Sequence, residues 1–307
     1  MATGPSPPSR EAAWSAAAPL RDARTVGAAL ERATQVLQAA GIDSARLDAL
    51  LLLAAVLSTT KTELLAHPER PLAAAQATVY LELVARRAAR EPLAYILGRR
   101  EFYGREFVIT PQVLVPRPET ELLIDLALEY LRRRRLADGY AADVGAGSGV
   151  LAVTLAAEWP TLRVVATDLA PALLTLVRAN ALRLGVAHQI WLVCCDLLAG
   201  VRGPLDLVVA NLPYIPTERI ATLMPEVAWY EPRRALDGGP DGTVPNRRLL
   251  AQLPERLAPG GLALLECDEG QAATLQAAAS RYLPDAAVTV VKDLTGSDRA
   301  LRIERRP

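Results

Sequence analysis

Short apolar runs rich in β-branched residues alternate with helical segments through the second half of the chain. Strands are predicted at residues 141–144, 163–167, 190–194, 205–210, 262–267, 287–291 and 300–303, and helices at 149–158, 170–184, 246–257 and 269–282. A strand that is followed by a helix returns to the sheet in parallel, whereas the last two strands follow one another directly and predict an antiparallel edge. The pattern therefore predicts an α/β fold around a seven-stranded mixed sheet. Such sheets bind ligands at the carboxyl ends of their strands.

The first third of the chain has helical periodicity instead. Apolar residues recur at intervals of three and four over residues 25–90, which predicts a small bundle that packs or selects a partner. Residues 101–109, with Gly104 at their centre, carry a hairpin signal, and a further helix is predicted at 121–135. We expect a disordered tail at residues 1–20, a helical domain at 21–95, a hairpin linker at 96–118 and the α/β domain at 119–307.

Charge, hydropathy and metal-ligand content exclude several classes of protein. The 34 Lys and Arg residues balance the 34 Asp and Glu residues, so there is no overall positive field for direct nucleic-acid binding. The longest wholly apolar run, residues 49–57, is too short to cross a membrane, and the first residues lack the features of a secretory signal. Cys194, Cys195 and Cys267 form no CxxC pair and the two histidines are far apart, so we expect no metal site. A cytoplasmic monomer is the expectation.

A glycine-rich loop, DVGAGSG at residues 143–149, directly follows the first strand of the predicted sheet and opens a helix. Glycines let the backbone approach a ligand closely, and the helix start offers free amide hydrogens. A dinucleotide motif would need its third glycine at the position of Val150, so a pyrophosphate is not favoured. The next strand ends in Asp168, which would accept both ribose hydroxyls of a nucleoside. The third ends in Asp196, which would contact the base or merely cap a turn.

The turn Asn211-Leu212-Pro213-Tyr214 follows the fourth strand at the same edge of the sheet. The asparagine oxygen and a backbone carbonyl can accept the two hydrogens of a planar amide or amino group, while the aromatic ring stacks on its face. This arrangement predicts a site for methylating a nitrogen. The alternative interpretation is that Asn211 only starts a turn and Tyr214 only packs.

With these features and several further motifs, the chain resembles the release-factor glutamine N5-methyltransferases (PrmC, also called HemK). The likeness covers nearly the whole chain from about Thr25. Besides the glycine loop, Asp168 and the Asn211 turn, the motifs are RRAAREPLAYILG (86–98), REFYG (100–104), PRPETE (116–121), YEP (230–232), ALDGG (235–239), DL (293–294) and DR (298–299). The glycine loop is common to many methyltransferases, whereas the helical segment joined to PRPET and YEPxxALDGG is specific to this family.

The resemblance implies a Rossmann-like S-adenosylmethionine-dependent methyltransferase fold with a substrate-recognition bundle, joined by the β-hairpin. It implies S-adenosylmethionine as donor, S-adenosylhomocysteine as product and no metal. The implied acceptor is the glutamine of the Gly-Gly-Gln tripeptide in class I peptide chain release factors. The cofactor-binding residues would be Gly145, Ala146, Gly147, Ser148, Gly149, Asp168, Asp196, Leu197 and Asn211. The catalytic residues would be Asn211, Leu212, Pro213 and Tyr214, which with Arg117 and Glu119 would also bind substrate.

Two departures from the family pattern bear on activity. Leu212 replaces the first proline of the usual Asn-Pro-Pro-Tyr turn; the backbone carbonyl remains but the fixed φ of proline is lost. Asp268 takes the place of a glycine shortly after Glu266, where its carboxylate would reshape the pocket edge. Three alternatives stay open: a ribosomal-protein glutamine methyltransferase, an adenine-N6 methyltransferase, which the neutral net charge disfavours, and a non-catalytic homologue disabled at Leu212.

Overall fold

In the computed structural model, which describes residues 10–307, the chain divides into two units. The first comprises residues 10–98 and the later segment Thr222–Tyr230, and the second comprises Arg99–Ala221 and Glu231–Pro307. The boundary falls after Gly98 and not after residue 95, because the hairpin belongs to the second unit. Gly98, at φ 70°, ends the helix before it. The assignment of Thr222–Tyr230 to the first unit was not expected from the sequence.

The first unit is helical throughout. Its helices are α1 (Arg10–Ala17), α2 (Val26–Ala39), α3 (Ala45–Leu57), α4 (Lys61–Ala66), α5 (Ala74–Ala88) and α6 (Leu93–Leu97), with α10 (Pro225–Tyr230) from later in the chain. Their apolar faces form one core that includes Leu37, Leu53 and the fully buried Tyr80. The helical periodicity of residues 25–90 is thereby confirmed.

The disordered tail predicted at residues 1–20 is wrong for its second half. Helix α1 is followed by a 3₁₀ helix, Ala18–Asp22, and both Ala17 and Leu20 are buried in the core of the first unit. Alanine has the highest helix propensity, and the buried face of this segment adds the packing that a short helix needs. The first nine residues lie outside the described part of the chain.

The second unit contains the hairpin and a seven-stranded sheet with flanking helices. Its strands are β1 (Arg99–Phe102), β2 (Arg105–Val108), β3 (Gly139–Val144), β4 (Leu162–Asp168), β5 (Ile190–Cys194), β6 (Leu205–Ala210), β7 (Leu257–Glu266), β8 (Ala286–Lys292) and β9 (Asp298–Arg305). Its helices are α7 (Glu121–Arg134), α8 (Val150–Glu158), α9 (Pro171–Arg183), α11 (Val244–Gln252) and α12 (Ala272–Tyr282). These bounds confirm the predicted strands and helices of this region to within a few residues, apart from α11 and β7, which start or end about five residues earlier.

The large sheet has the order β5-β4-β3-β6-β7-β9-β8, and β9 alone runs antiparallel to its two neighbours. The chain leaves β3 for β4 on one side and returns to β6 on the other, so the strand order reverses at β3. Val144 pairs with Thr167 of β4 and with Ala210 of β6, which brings the carboxyl ends of the three strands to one edge. A reversal of this kind opens a crevice beyond the strand ends.

Among residues 10–307, no helix is long and apolar enough to cross a membrane.

Candidate active site

A cavity of about 270 Å³ opens at the carboxyl ends of β3, β4 and β6. A second, of about 60 Å³, shares Gly145, Gly147 and Asn211 with it. The predicted site residues that line one or both cavities are Gly145, Ala146, Gly147, Ser148, Asp168, Asp196, Leu197, Asn211, Leu212 and Pro213. The predicted site residues that line neither are Gly149, Tyr214, Arg117 and Glu119.

The glycine loop folds back onto the end of β4. The amide nitrogens of Gly145 and Ala146 both donate to the Thr167 carbonyl oxygen, each at 2.9 Å. Gly145 has φ 74°, and a Cβ there would lie 2.8 Å from Leu212 Cδ2. Glycine is therefore required at this position both by the backbone conformation and by the side chain of Leu212 in the turn Asn211-Leu212-Pro213-Tyr214, the Asn211 turn.

Asp168 holds the loop from the end of β4. Its Oδ2 accepts from the Gly147 amide at 3.1 Å and its Oδ1 from the Ala170 amide at 3.0 Å. Each carboxylate oxygen keeps acceptor capacity beyond these bonds, so the orientation is fixed and hydroxyl groups of a ligand can still be bound. The neighbouring Thr167 lines the cavity, and its buried Oγ1 makes no hydrogen bond within residues 10–307.

Asp143, the acid that begins the loop, is buried beneath it and lines the smaller cavity. Burial raises the pKa of its carboxyl to about 7; the hydrogen bond from the Ala152 amide opposes this rise and the charge of Asp168 adds to it. That bond joins Asp143 Oδ2 to the first turn of α8 at 2.9 Å. Asp143 thus connects the loop to the helix that follows it.

Asp196 also lines the larger cavity. Its carboxylate pairs with the guanidinium group of Arg248, which lines the same cavity from α11. Leu197, beside it, has φ 52° and is buried.

Hydrogen bonds hold the Asn211 turn at both of its ends. Asn211 Nδ2 donates to Thr120 Oγ1 at 2.9 Å, which leaves Oδ1 as the free acceptor of this side chain. The Tyr214 hydroxyl donates to Glu266 Oε1 at 3.2 Å, and its main-chain oxygen accepts from Gln271 Nε2 at 2.6 Å. Tyr214 is therefore turned towards β7, while the asparagine lines the cavity.

Glu266, at the end of β7, is 1% exposed. Burial raises the pKa of its carboxyl to about 7, while the hydroxyls of Thr120 and Tyr214 and the charge of Arg299 oppose the rise. Burial, and next the negative charge of Glu266, also raise the pKa of Tyr214, so the tyrosine keeps its proton and acts as the donor.

The ALDGG motif pairs with Ile215, which directly follows the Asn211 turn. The Ile215 amide donates to the Leu236 carbonyl and the Gly238 amide to the Ile215 carbonyl, each at 2.9 Å. Gly242 packs so closely that a Cβ there would lie 2.2 Å from the Tyr214 oxygen. This pairing gives the motif a structural role at the site.

Arg117 and Glu119 lie outside both cavities, and their predicted role in substrate binding stays a prediction. Arg117 Nη2 donates to Glu231 Oε1 at 2.5 Å, which joins the PRPET motif to the YEP motif. Glu231 is buried, and burial raises the pKa of its carboxyl, which the charge of Arg117 opposes. Glu119 is exposed.

Sequence reasoning missed several residues that hold the site. Asn180, fully buried in α9, accepts from the Val108 amide at 2.8 Å and donates to the Ser148 carbonyl at 2.9 Å, so it joins the hairpin to the glycine loop. Thr120 lies within the PRPETE motif, but nothing in the sequence marks either Thr120 or Gln271 as a contact of the Asn211 turn. An isolated polar residue in a helical pattern gives no signal of such a role.

Asp268 does not line either cavity, and its carboxylate pairs with the Arg219 guanidinium. The expected change of the pocket edge by this residue is therefore not seen. In the described part of the chain, no three His, Cys, Asp or Glu side chains are grouped so that they could hold a metal ion.

Comparisons with known proteins agree with this architecture. The family model "PrmC N-terminal domain" matches residues 28–98, and "Methyltransferase small domain" matches residues 120–230. The release factor glutamine methyltransferase of Bradyrhizobium diazoefficiens is 41% identical over 276 residues, which cover 88% of this chain and 92% of that protein. That of Moorella thermoacetica is 42% identical over 287 residues, which cover 92% of this chain and 99% of that protein.

Among solved structures, the catalytic domain of hMettl16 in complex with the MAT2A 3′UTR hairpin 6 is similar with a TM-score of 0.54. The sequence identity is 17%, and the match covers 73% of this chain and 81% of that one. At this identity the likeness concerns the fold alone, that of a methyltransferase.

Proposed function

Because the chain belongs to the family of release factor glutamine methyltransferases, we propose that it methylates glutamine in a release factor. The methyl group passes from S-adenosylmethionine to the side-chain amide nitrogen of the glutamine in the Gly-Gly-Gln motif of class I peptide chain release factors. One observation carries this proposal: Asn211 lines the same cavity as the glycine loop and Asp168. The acceptor amide and the methyl donor can therefore meet at one edge of the sheet.

The residues of the cavity fit S-adenosylmethionine. Asp168 has acceptor capacity for two ribose hydroxyls, and Gly145 and Gly147 place no side chain between the loop and a ligand. We assign Asp196 and Leu197 to the nucleoside end, where Arg248 has to share or release the Asp196 carboxylate. When bound, this cofactor supplies the electrophilic methyl group.

Asn211 and Leu212 supply orientation, which is what an amide nitrogen needs. Its lone pair is delocalised into the carbonyl group, so it is a poor nucleophile. The Asn211 side-chain oxygen and the Leu212 carbonyl accept the two amide hydrogens and direct the lone pair towards the methyl group. Well-aligned reactants can gain about 7 to 11 kcal/mol from such positioning. The methylated amide then loses one proton to water, so no separate general base is needed.

Tyr214 and the first unit have supporting roles in this proposal. Tyr214 fixes the turn through the hydrogen bond from its hydroxyl to Glu266. Residues 10–98 with Thr222–Tyr230 supply the surface that binds the release factor. The reaction proceeds without a metal, so the activity should survive a chelating agent.

The direct test is mass spectrometry of a purified class I release factor after incubation with the protein and S-adenosylmethionine. We expect one added methyl group on the Gly-Gly-Gln glutamine, and none with Asn211→Ala. Calorimetry with S-adenosylhomocysteine should still detect binding by Asn211→Ala, which shows that the variant is folded, with a weaker affinity because Asn211 is also a predicted cofactor contact. Cofactor binding by the unaltered protein without any methylation of the release factor would contradict the proposal.

A further inference from the structure

A fully buried asparagine in helix α9 bonds to backbone groups from two distant parts of the chain. Asn180 Oδ1 accepts from the Val108 amide at 2.8 Å. Asn180 Nδ2 donates to the Val108 carbonyl at 3.1 Å and to the Ser148 carbonyl at 2.9 Å. Backbone amides only donate and backbone carbonyls only accept, so these three partners fix the orientation of the side-chain amide. The side chain therefore holds the two backbone segments at a set distance from each other.

The Ser148 carbonyl lies in a part of the glycine loop that its own sequence restrains weakly. Ser148 stands between Gly147, at φ 55°, and Gly149, at φ 82°. Glycine loses more conformational freedom on folding than any other residue, so bonds from outside the loop are needed to keep one conformation. Asp168 supplies one such bond, to the Gly147 amide, and Asn180 supplies another at the next residue.

Val108 is the last residue of strand β2, and the segment that follows it forms part of the same ligand cavity. Residues 112–114 line the larger cavity, as the glycine loop does, and Leu114 lines the smaller one as well. Val108 directs both its amide and its carbonyl to Asn180, so this segment is anchored a few residues before it reaches the cavity. Asn180 lines neither cavity itself, yet it bonds the backbone of both segments that do.

We propose that Asn180 is a positioning residue for the methyl donor, which holds the glycine loop and the segment after the hairpin in the arrangement that the cofactor binds. Because one side chain bonds both segments, a cofactor that orders the loop also stabilises the bonds at Val108. Coupling of this kind is reciprocal, so the loss of the Asn180 bonds weakens cofactor binding. This inference rests on the proposed function for the identity of the methyl donor and is independent of the acceptor.

The first test compares two variants of the second unit that each lose buried hydrogen bonds. Asn180→Ala removes the bonds to Val108 and Ser148. Tyr130→Phe removes the bond of 2.8 Å from the Tyr130 hydroxyl to the Gly260 carbonyl, and neither of these residues lines a cavity of the site. By calorimetry, we expect Asn180→Ala to bind S-adenosylhomocysteine about tenfold more weakly and Tyr130→Phe to bind it within about twofold of the unaltered protein. Similar affinities of the two variants would overturn the proposal.

Steady-state kinetics with a release factor distinguish positioning from a general loss of folded enzyme. Asn180→Ala should raise KM for S-adenosylmethionine about tenfold and keep kcat within about threefold, because the residues of the Asn211 turn are unchanged. A variant that had only lost folded protein would show a lower kcat at an unchanged KM. That result would also overturn the proposal.

Hydrogen exchange tests the coupling in the unaltered protein, so it does not depend on the folding of a variant. The Val108 amide bonds the side-chain oxygen of Asn180, and the Tyr140 amide bonds that of Asp206, which lines neither cavity. We expect S-adenosylhomocysteine to slow exchange at the Val108 amide at least about tenfold more than at the Tyr140 amide. Equal slowing of both amides would refute the coupling whatever the acceptor. If Val108 responds but the release factor is not methylated, the proposed acceptor is wrong and the positioning stands.

Discussion

Gln271 Nε2 donates a hydrogen bond of 2.6 Å to the main-chain oxygen of Tyr214. The same side chain accepts from the Asp268 amide at 3.0 Å, and Gln271 is the N-cap residue of helix α12. One residue thus joins the segment after β7, the start of a helix and the Asn211 turn. In a chain with Leu212 in place of proline, the turn relies on such contacts from outside for its rigidity.

Replacing Gln271 by leucine should therefore impair the methyl transfer and leave the cofactor site intact. Gln271→Leu keeps the volume of a side chain that is 6% exposed but leaves the Tyr214 oxygen without this donor. We expect kcat/KM for the release factor to fall about tenfold, measured by steady-state kinetics with S-adenosylmethionine at saturation. As a control, Gln76→Leu removes a capping bond in the first unit and should leave kcat unchanged. A Gln271→Leu variant with full activity would show that the turn is rigid by itself.

Replacing Leu212 by proline should separate the effect of a rigid turn on the rate from the effect of the packed leucine side chain on stability. The Leu212 side chain is 4% exposed and lies against Gly145. In Leu212→Pro the fixed φ should raise kcat about two- to fivefold, because less conformational entropy is lost on ordering the turn. The lost buried atoms should lower the free energy of unfolding by about 1 to 3 kcal/mol. Single-turnover kinetics and urea unfolding measure the two effects, and a fall in kcat would show that the turn is already adapted to leucine.

The third glycine of the loop should be required for packing as well as for backbone conformation. Gly149 has φ 82°, and a Cβ there would lie 2.9 Å from Val177 Cγ1 in helix α9. Gly185→Ala is a matched control, because Gly185 has φ 76° with open space around its Cβ position. We expect Gly185→Ala to lower the free energy of unfolding by about 1 kcal/mol and Gly149→Ala to lower it clearly more. Chemical unfolding measures both values. Equal losses of stability in the two variants would show that helix α9 moves away from the added Cβ without strain.

The strands of the sheet and the residues at their carboxyl ends could be predicted because both signals are local. Periodicity fixes the strands, and a glycine, an acid or an asparagine directly after each one marks the ligand edge. The contacts that hold the site could not be predicted in this way. Asn211 and Thr120 are separated by 91 residues, and Arg117 and Glu231 by 114, so their pairing depends on tertiary packing.

The segment Thr222–Tyr230 shows the same limit at the level of domains. In the sequence it lies between the Asn211 turn and the ALDGG motif, which both belong to the second unit, yet it is part of the first unit. Glu226 of this segment accepts from Arg87 Nη2 at 2.9 Å and from Arg90 Nη2 at 2.7 Å. No periodicity reveals a partner that is more than 130 residues away.

Arg87 should be essential for the stability of the first unit. It is 6% exposed and bonds both Asp48 and Glu226, which are also buried. Arg87→Leu leaves the buried Asp48 without its counter-ion and Glu226 with Arg90 alone, so we expect the free energy of unfolding to fall by about 3 to 5 kcal/mol. The adjacent Arg86 pairs with Glu91 on a more exposed surface, and Arg86→Leu should cost about 1 kcal/mol at most. Hydrogen exchange within α5 measures both values, and similar losses in the two variants would contradict this role.

The buried Asp143 should make the second unit less stable as the pH rises towards neutrality. Its pKa is raised by burial from 3.8 in the unfolded chain to about 7 in the folded protein. Between these values the folded state holds a proton that the unfolded state has released. Its stabilising contribution is therefore complete below about pH 3.8 and is lost as the pH rises through about 7.

Over that window, the free energy of unfolding of the unaltered protein should fall by up to about 1.4 kcal/mol per pH unit because of Asp143. Asp143→Asn removes this titration, so the variant should not show that fall. Urea unfolding from pH 4.5 to pH 7.5 measures the free energy of unfolding of both proteins. As the pH rises, any stability advantage of the unaltered protein over the variant should shrink or reverse. Asp293 provides the control, because its hydrogen bonds, first that from Thr295, lower its pKa to about 2, below this window. Asp293→Asn should shift stability by the same amount at every pH tested. A pH-independent effect of Asp143→Asn as well would show that Asp143 is already ionised in the folded protein.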